Sequence, residues 1–350
     1  MQGQYFSRVF ARTPTRLWIN NPTGDDLTRA LNVGCIAGTT NPSYCAKLID
    51  QEPEFILPII DEEVQRHEDD SVAADRVVQA ATRRFMDAFR PIHGASGGTL
   101  GFVTIQDDPA RDHSAERIVE AALVHQRVGP NYMAKVPVTE AGMEAMDELI
   151  SRRIPVCATE CFGLDQAITM CERYERAVAR GGHRPPFFIT HITGIFDDEL
   201  KDFAARHNVQ IKPEILNQAG CLVGRKQYHV LRERGFPAVM LGGGARGLHH
   251  FTAFVGGQMH ITLNWSTIEE LLDADEPGES RIDELPADDV VAELCDKLPD
   301  FRRAWHEGSL RPEEFESFAP LQRFRNNFLA GYGRLREEVA RRRAAAMARP

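Results

Sequence analysis

Eight short apolar segments, rich in β-branched and aromatic residues, recur along the chain with helix-period stretches between them. This alternation limits the fold more than any other feature. The predicted strands are residues 17–21, 34–40, 101–106, 132–138, 155–162, 186–193, 238–243 and 259–265. Helical periodicity fills 24–31, 55–89 (long enough for two helices), 114–128, 141–153, 164–180, 197–207, 223–235 and 248–254. Parallel neighbours need a crossover and a helix supplies it, so eight strand–helix units point to one parallel sheet. Eight such units close into a (β/α)8 TIM barrel of the α/β class. We expect a single domain over 1–350, its barrel core about 17–275, with extra helices after the second strand and a C-terminal helical extension about 284–345.

A ninth segment, 209–216, also has strand character. It carries Lys212, Pro213 and Glu214 in a row, and proline is rare in a central strand, so it is expected as an extra element in a long connection. Residues 1–24 carry Arg8, Arg12 and Arg16 and no acid, a faint likeness to a transit peptide; the expectation is a polar arm leading into the first strand. The tail opens with a polar loop at 273–283, continues through 288–297, and ends in a helix over 321–343. That helix is expected to pack Phe324, Phe328, Tyr332 and Leu335 against the barrel. Its arginines 341–343 suit a helix C-terminus.

Apolar residues at 43% and charged residues at 26% exclude disordered and collagen-like classes. No apolar run approaches the ~20 residues that span a bilayer, so no membrane partner is expected. A net charge of −10 argues against nucleic acid, while leaving room for a small anion in a locally basic pocket. Seven scattered cysteines do not suggest a disulfide framework, and a reducing cytoplasm is the simplest compartment. The pattern of the extra helices does not decide between a homo-oligomer face and a cover for the barrel.

Lys135 has the sharpest chemical consequence. In Tyr132-Met-Ala-Lys-Val-Pro-Val138, alternation puts Met133, Lys135 and Pro137 on one face. Both faces of a barrel strand are largely enclosed. Burial without a carboxylate partner disfavours the ammonium and lowers the pKa. A neutral amine attacks a carbonyl to form a Schiff base, whose protonated imine is an electron sink for breaking or making the adjacent C–C bond. The plainer alternative is a lysine snorkelling from a strand end, ordinarily the commoner fate.

Other polar residues gather at the C-terminal ends of the predicted strands, where barrels of this kind keep their active sites. They are Asn20 and Asn21, then Thr39, Thr40 and Asn41, then Gln106. Later strands add Thr159 and Glu160, Thr190, His191 and Thr193, and Asn264. Thr40-Asn41-Pro42-Ser43 is equally a strand-ending turn that caps the next helix. Gly242-Gly-Gly-Ala-Arg246 offers backbone N–H groups and a guanidinium to a phosphate or other anion, or is an ordinary glycine-rich turn. No metal site is expected: His249, His250 and His260 lack a partner set, and Cys157 and Cys161 are placed on one strand face as packing residues. No cofactor is expected either. There is no P-loop, and the glycines over 94–101 lack the strand–turn–helix order of a dinucleotide site.

Three blocks occur in order and at suitable distances: Gly38-Thr-Thr-Asn-Pro-Ser43, Lys135-Val-Pro-Val-Thr-Glu-Ala-Gly142, and residues 241–246. Together they resemble the transaldolases, including smaller relatives that act as fructose-6-phosphate-type aldolases. The similarity runs from about residue 17 to 265, and more loosely through the final helix. The resemblance implies a metal-free class I mechanism on a sugar or sugar phosphate, in pentose phosphate metabolism. A ketose condenses with Lys135, retro-aldol cleavage leaves a three-carbon enamine, and the enamine attacks a second aldehyde. It further implies that Asn41 holds donor hydroxyls with Thr40 beside it, that Thr159 positions the water, that Thr190 matches a serine of the substrate site, and that Arg246 binds phosphate.

The same resemblance marks departures. The family's first strand ends in a proton-transferring aspartate, where this chain has Asn20. An amide is no general base at neutral pH, so either Asp25 or Glu160 substitutes or turnover is impaired. Gln106 stands in for the water-activating glutamate of transaldolases, as in the aldolase branch, but Ile192 replaces the tyrosine that accompanies it there. Ile195 replaces the second phosphate-binding arginine; His191 nearby offers a weaker, pH-dependent contact, compatible with an unphosphorylated acceptor. Gly244 replaces a serine and is expected to leave more space. The expectation is ketol transfer, with an atypical aldolase or a catalytically impaired sugar-binding homologue as alternatives.

Overall fold

The computed structural model describes residues 4–348. Eight parallel strands pair in sequential order, and the first also pairs with the last, closing a barrel. They are β1 (Arg16–Asn20), β2 (Ala37–Thr39), β3 (Val103–Ile105), β4 (Tyr132–Pro137), β5 (Val156–Cys161), β6 (Phe187–Ile192), β7 (Val239–Gly243) and β8 (His260–Leu263). Each falls inside its predicted segment or within one residue of it. The second shrinks most, because residues 34–36 form no strand.

Helix α1 (Tyr5–Arg12) precedes β1, and α2 (Gly24–Asn32) follows it. Three helices fill the excursion after β2: α3 (Tyr44–Gln51), α4 (Pro53–Arg66) and α5 (Asp70–Ala95). Single crossovers follow as α6 (Ala115–His125), α7 (Glu140–Ser151) and α8 (Leu164–Gly181). The β6–β7 connection holds α9 (Thr193–Arg206), α10 (Pro213–Leu216) and α11 (Ala219–Glu233). Then come α12 (His249–Thr252), α13 (Trp265–Ala274), α14 (Asp288–Lys297), α15 (Pro299–Trp305) and α16 (Ala319–Met347).

Two expectations about organisation change. The N-terminal arm is helical: Tyr5, Phe6 and Val9 form a buried face on α1, with Tyr5 and Phe6 set edge-on to Phe251 at 5.8 and 5.2 Å. Arg8 ties the helix to Asp275 at 2.7 Å. Segment 209–216 contains no strand; Pro213, suited to a first helical turn, starts α10 instead. All seven cysteines are free. Among the described residues no helix is long and apolar enough to cross a membrane.

The barrel interior is layered. Trp18, Ala37, Phe102, Met133, Cys157, Phe188 and Leu241 form a separate apolar cluster that fills the floor. Two residues further along five of these strands, Asn20, Thr39, Lys135, Thr190 and Gly243 line the mouth, joined by Thr262 of β8. A period of two carries these inward faces from floor to mouth.

β5 breaks this regularity. Ala158 pairs with Ile189 but Cys161 pairs with His191, so three steps on β5 face two on β6. The extra residue is a bulge, with Glu160 at φ +65°. The two β5 cysteines therefore do not share a face. Cys157 sits in the floor, whereas Cys161 donates to the Gly163 carbonyl and packs in the outer core.

α16 lies across α3, α4, α5 and α9, with Phe324, Phe328, Tyr332 and Leu335 buried. The helix runs on to Met347, so the arginines do not form its last turn. Arg342 pairs with Asp61, and Arg343 reaches Asp70 at 2.6 Å and the carbonyls of Val64 and His67. They strap the helix to α4 and α5.

Candidate active site

A cavity of about 600 Å3 opens at the C-terminal ends of the strands. Of the residues singled out from sequence, Asn20, Asn41, Lys135, Thr190, Gly244 and Arg246 line it, as do Asn21, Thr39 and Asn264. Thr40, Gln106, Thr159 and His191 do not line it.

Lys135 is 7% exposed. Its Nζ donates to the Thr40 carbonyl at 3.3 Å, and it joins no ion pair among the described residues. Phe328, from α16, covers it with the ring centroid 5.4 Å from Nζ. Burial lowers the ammonium pKa to about 8, with Cys157 and Glu160 opposing. Cys157 lies opposite Lys135 in the β4–β5 register, and its thiol meets the Thr190 hydroxyl at 3.0 Å. Thr40 thus contributes its carbonyl to the lysine, while its own hydroxyl donates to the Thr104 carbonyl at 2.7 Å.

The β1 and β2 ends are held by amides and hydroxyls. Thr39 donates to Asn20 Oδ1 at 2.8 Å and receives the Thr262 hydroxyl at 2.8 Å. Asn20 Nδ2 donates to Asn264 Oδ1 at 2.9 Å. Asn21, at φ +44°, donates to Asn41 Oδ1 at 3.0 Å and accepts the Asn41 backbone N–H at 3.1 Å. Asn tolerates that left-handed backbone, so this pair fixes the turn after β2.

Arg246 projects from the loop after β7. Its guanidinium is held by Asp198 at 2.8 Å. Its backbone N–H donates to His250 Nδ1 at 2.8 Å, so His250 Nε2 donates to the buried Asp197, also at 2.8 Å. Cys221 lies within ligand reach of His249 and His250, a grouping the sequence does not reveal, but Asp197 already holds His250. Both ring nitrogens of His250 are thereby engaged in positioning the loop. Gly244 does not leave open space: it sits at φ +67°, and a Cβ there would meet Ile192 Cγ2 at 2.9 Å. His191 faces outward, donating to the Gly220 carbonyl at 2.8 Å, and burial lowers its pKa to about 4. It is neutral and outside the cavity, because one step along β6 from Thr190 reverses the face.

Asp25 is exposed on α2 and does not line the cavity. Glu160 is buried and accepts from Gln106 Nε2 at 2.9 Å. Burial raises its pKa to about 7, Asp112 adding to the effect.

The family model described as Transaldolase/Fructose-6-phosphate aldolase matches residues 17–307. The chain belongs to this transaldolase and fructose-6-phosphate aldolase family. It is 24% identical over 236 residues to a protein named transaldolase from Mycobacterium ulcerans, covering 62% of each chain. It is 31% identical over 165 residues to the Frankia alni transaldolase, 45% of this chain and 44% of that one. Transaldolase 1 of Streptomyces avermitilis is 34% identical over 153 residues, 41% and 39% of the two chains. The matched stretches span less than two thirds of these relatives.

Within this transaldolase-family barrel, several cavity residues escaped the sequence reading. Arg29 and Lys47 reach the rim from α2 and α3, and both pair with Asp26, at 2.8 and 3.6 Å. Phe324, Asn327 and Phe328 come from α16. Helical periodicity showed that α16 has an apolar side but not which part of the barrel that side meets.

Proposed function

We propose that the protein transfers a three-carbon ketol unit between sugars through an imine on Lys135. The observation that carries this reading is a lysine amine buried at the cavity wall without an ion-pair partner among the described residues, its pKa lowered to about 8. Such an amine has a reactive neutral fraction near neutral pH.

In this reading Lys135 Nζ attacks the C2 carbonyl of a ketose, and loss of water gives the iminium. The iminium draws the electrons of the C3–C4 bond as it breaks, releasing an aldehyde and leaving an enamine. The enamine attacks a second aldehyde, and hydrolysis returns the amine. Asn41, Thr190 and the Asn20 amide offer hydrogen bonds to sugar hydroxyls. Arg246 offers a cation to the distal end of the substrate, where Ile192 and Ile195 make the neighbouring wall apolar. Thr159, opposite Pro137 in the β4–β5 register, and Gln106, which shares a small pocket with Lys135, support proton and water handling in this reading.

Incubation with fructose 6-phosphate or dihydroxyacetone followed by borohydride reduction tests the reading. A six- or three-carbon mass increment on the Lys135 peptide is expected, absent from Lys135→Ala. An unmodified lysine with both ketoses would overturn it. Release of free glyceraldehyde 3-phosphate without an added acceptor would mark simple aldol cleavage instead of transfer.

A further inference from the structure

The β5 bulge holds a buried carboxyl that the imine chemistry above leaves unused. A non-glycine residue at φ +65° is strained, and such strain persists where the surroundings enforce it, often at functional sites. Gln106 fixes one oxygen of Glu160. Glu160 Oε2, Gln106 Oε1 and the Thr159 hydroxyl are buried without partners among the described residues. Buried polar groups are nearly always satisfied, so three orphans around one bulge call for a role.

The surroundings fit proton handling. Lys135 on β4, Asp112 ahead of α6 and Arg325 on α16 all act electrostatically on Glu160. A pocket of about 10 Å3 is lined by Lys135, Gln106, Asp107 and Asp112; Gln106 joins it to Glu160, while Asp112 is held by Arg325 at 2.7 Å. Its volume is roughly the room of one water. The cavity's own carboxylates, Asp26 and Glu269, are engaged with Arg29. Asn20 and Gln106 are amides with no proton to exchange at neutral pH.

We infer that Glu160, presented by the β5 bulge and Gln106, is the proton store of the lysine site. The inference rests on the Lys135 reading above. The neutral amine adds to the ketose carbonyl, forming the C–N bond, and its surplus proton moves to the oxygen to give a carbinolamine. The C–O bond then breaks as the nitrogen lone pair forms the iminium. The departing hydroxide takes the proton of the Glu160 carboxyl and leaves as water, giving an iminium–carboxylate pair. Hydrolysis reverses the step: water adds to the iminium carbon and Glu160 recovers the proton. With burial holding the carboxyl at about 7, both of its states are populated near neutrality.

The test follows the rate of borohydride-trapped dihydroxyacetone adduct on Lys135, in the full chain, from about pH 5.5 to 9. Wild type should show a limb near pH 7. Glu160→Gln should slow adduct formation about 100-fold and remove that limb, with the final adduct yield retained. Glu160→Asp should restore part of the rate. Gln106→Leu keeps the carboxyl but deletes a hydrogen bond that favours its charged form, so the limb should move to higher pH. A wild-type rate and limb in Glu160→Gln, or an unmoved limb in Gln106→Leu, would overturn the inference while leaving Lys135 intact. Absence of adduct from wild type as well would overturn the Lys135 reading, and this inference with it.

Discussion

The floor and the mouth of the barrel are built by the same strands, two residues apart, and they are chemically opposite. Trp18 gives way to Asn20, Ala37 to Thr39, Met133 to Lys135, Phe188 to Thr190 and Leu241 to Gly243. The floor is closed by apolar packing: Trp18 and Phe188 have ring centroids 5.1 Å apart, and Trp18 Nε1 donates to His260 Nδ1 at 2.9 Å. The mouth keeps a lysine, amides and hydroxyls under Phe324 and Phe328 of α16. Stability and reactivity thus occupy adjacent layers of one inward face.

Trp18→Ala probes the floor hardest. It should lower unfolding free energy by about 3–5 kcal/mol in urea titrations. Lys135 trapping at temperatures well below the transition should stay within a few-fold of wild type. A parallel loss of trapping would show that the two layers are not separable.

Glu160→Gln asks how much the mouth costs the fold. Burial raises the folded-state pKa to about 7 from 4.5, so between these values the native state binds more protons than the unfolded chain. Wild-type stability contributed by this group is therefore lost as pH rises through that window and is level above it. Relative to Glu160→Gln, wild type should lose on the order of 2–3 kcal/mol between about pH 4.5 and 7. A pH-independent difference between the two proteins would contradict the burial argument.

Gly331→Ala tests the cover. A Cβ there would lie 2.8 Å from Ser43 Cα, so α16 must shift away from the turn after β2. The expected loss is about 1–3 kcal/mol, with Lys135 trapping moving to higher pH as Phe328 withdraws and water reaches the amine. A smaller effect is expected at the rim. Asp198→Asn should change stability by less than about 1 kcal/mol, because its ion pair with Arg246 is partly exposed. It should tighten inorganic phosphate binding several-fold by releasing the guanidinium, as titration calorimetry would register.

Much of this architecture is legible in the sequence. The alternation of segments placed all eight strands, and Lys135 stood out because a charged residue interrupts an otherwise apolar strand. The same alternation failed at β5, where it put Cys157 and Cys161 on one face and gave no warning of the bulge. His191 was misread for a related reason. Its place near Ile195, where the family has an arginine, suggested an anion contact, but period two sends it to the Gly220 carbonyl outside. The N-terminal helix was hidden by its arginines, since its buried face is only Tyr5, Phe6 and Val9.

By itself, then, the sequence determined the barrel, the strand that carries the lysine and the ends on which polar residues gather. These follow from local periodicity, which each segment writes independently. Tertiary structure decided that α16 roofs the mouth, that Asp198 holds Arg246, that Asp197 and His250 brace its loop, and that Glu160 meets Gln106. Those pairings join residues far apart in the chain. Only closure of the sheet brings them within reach, and for Glu160 the one extra residue in β5 as well.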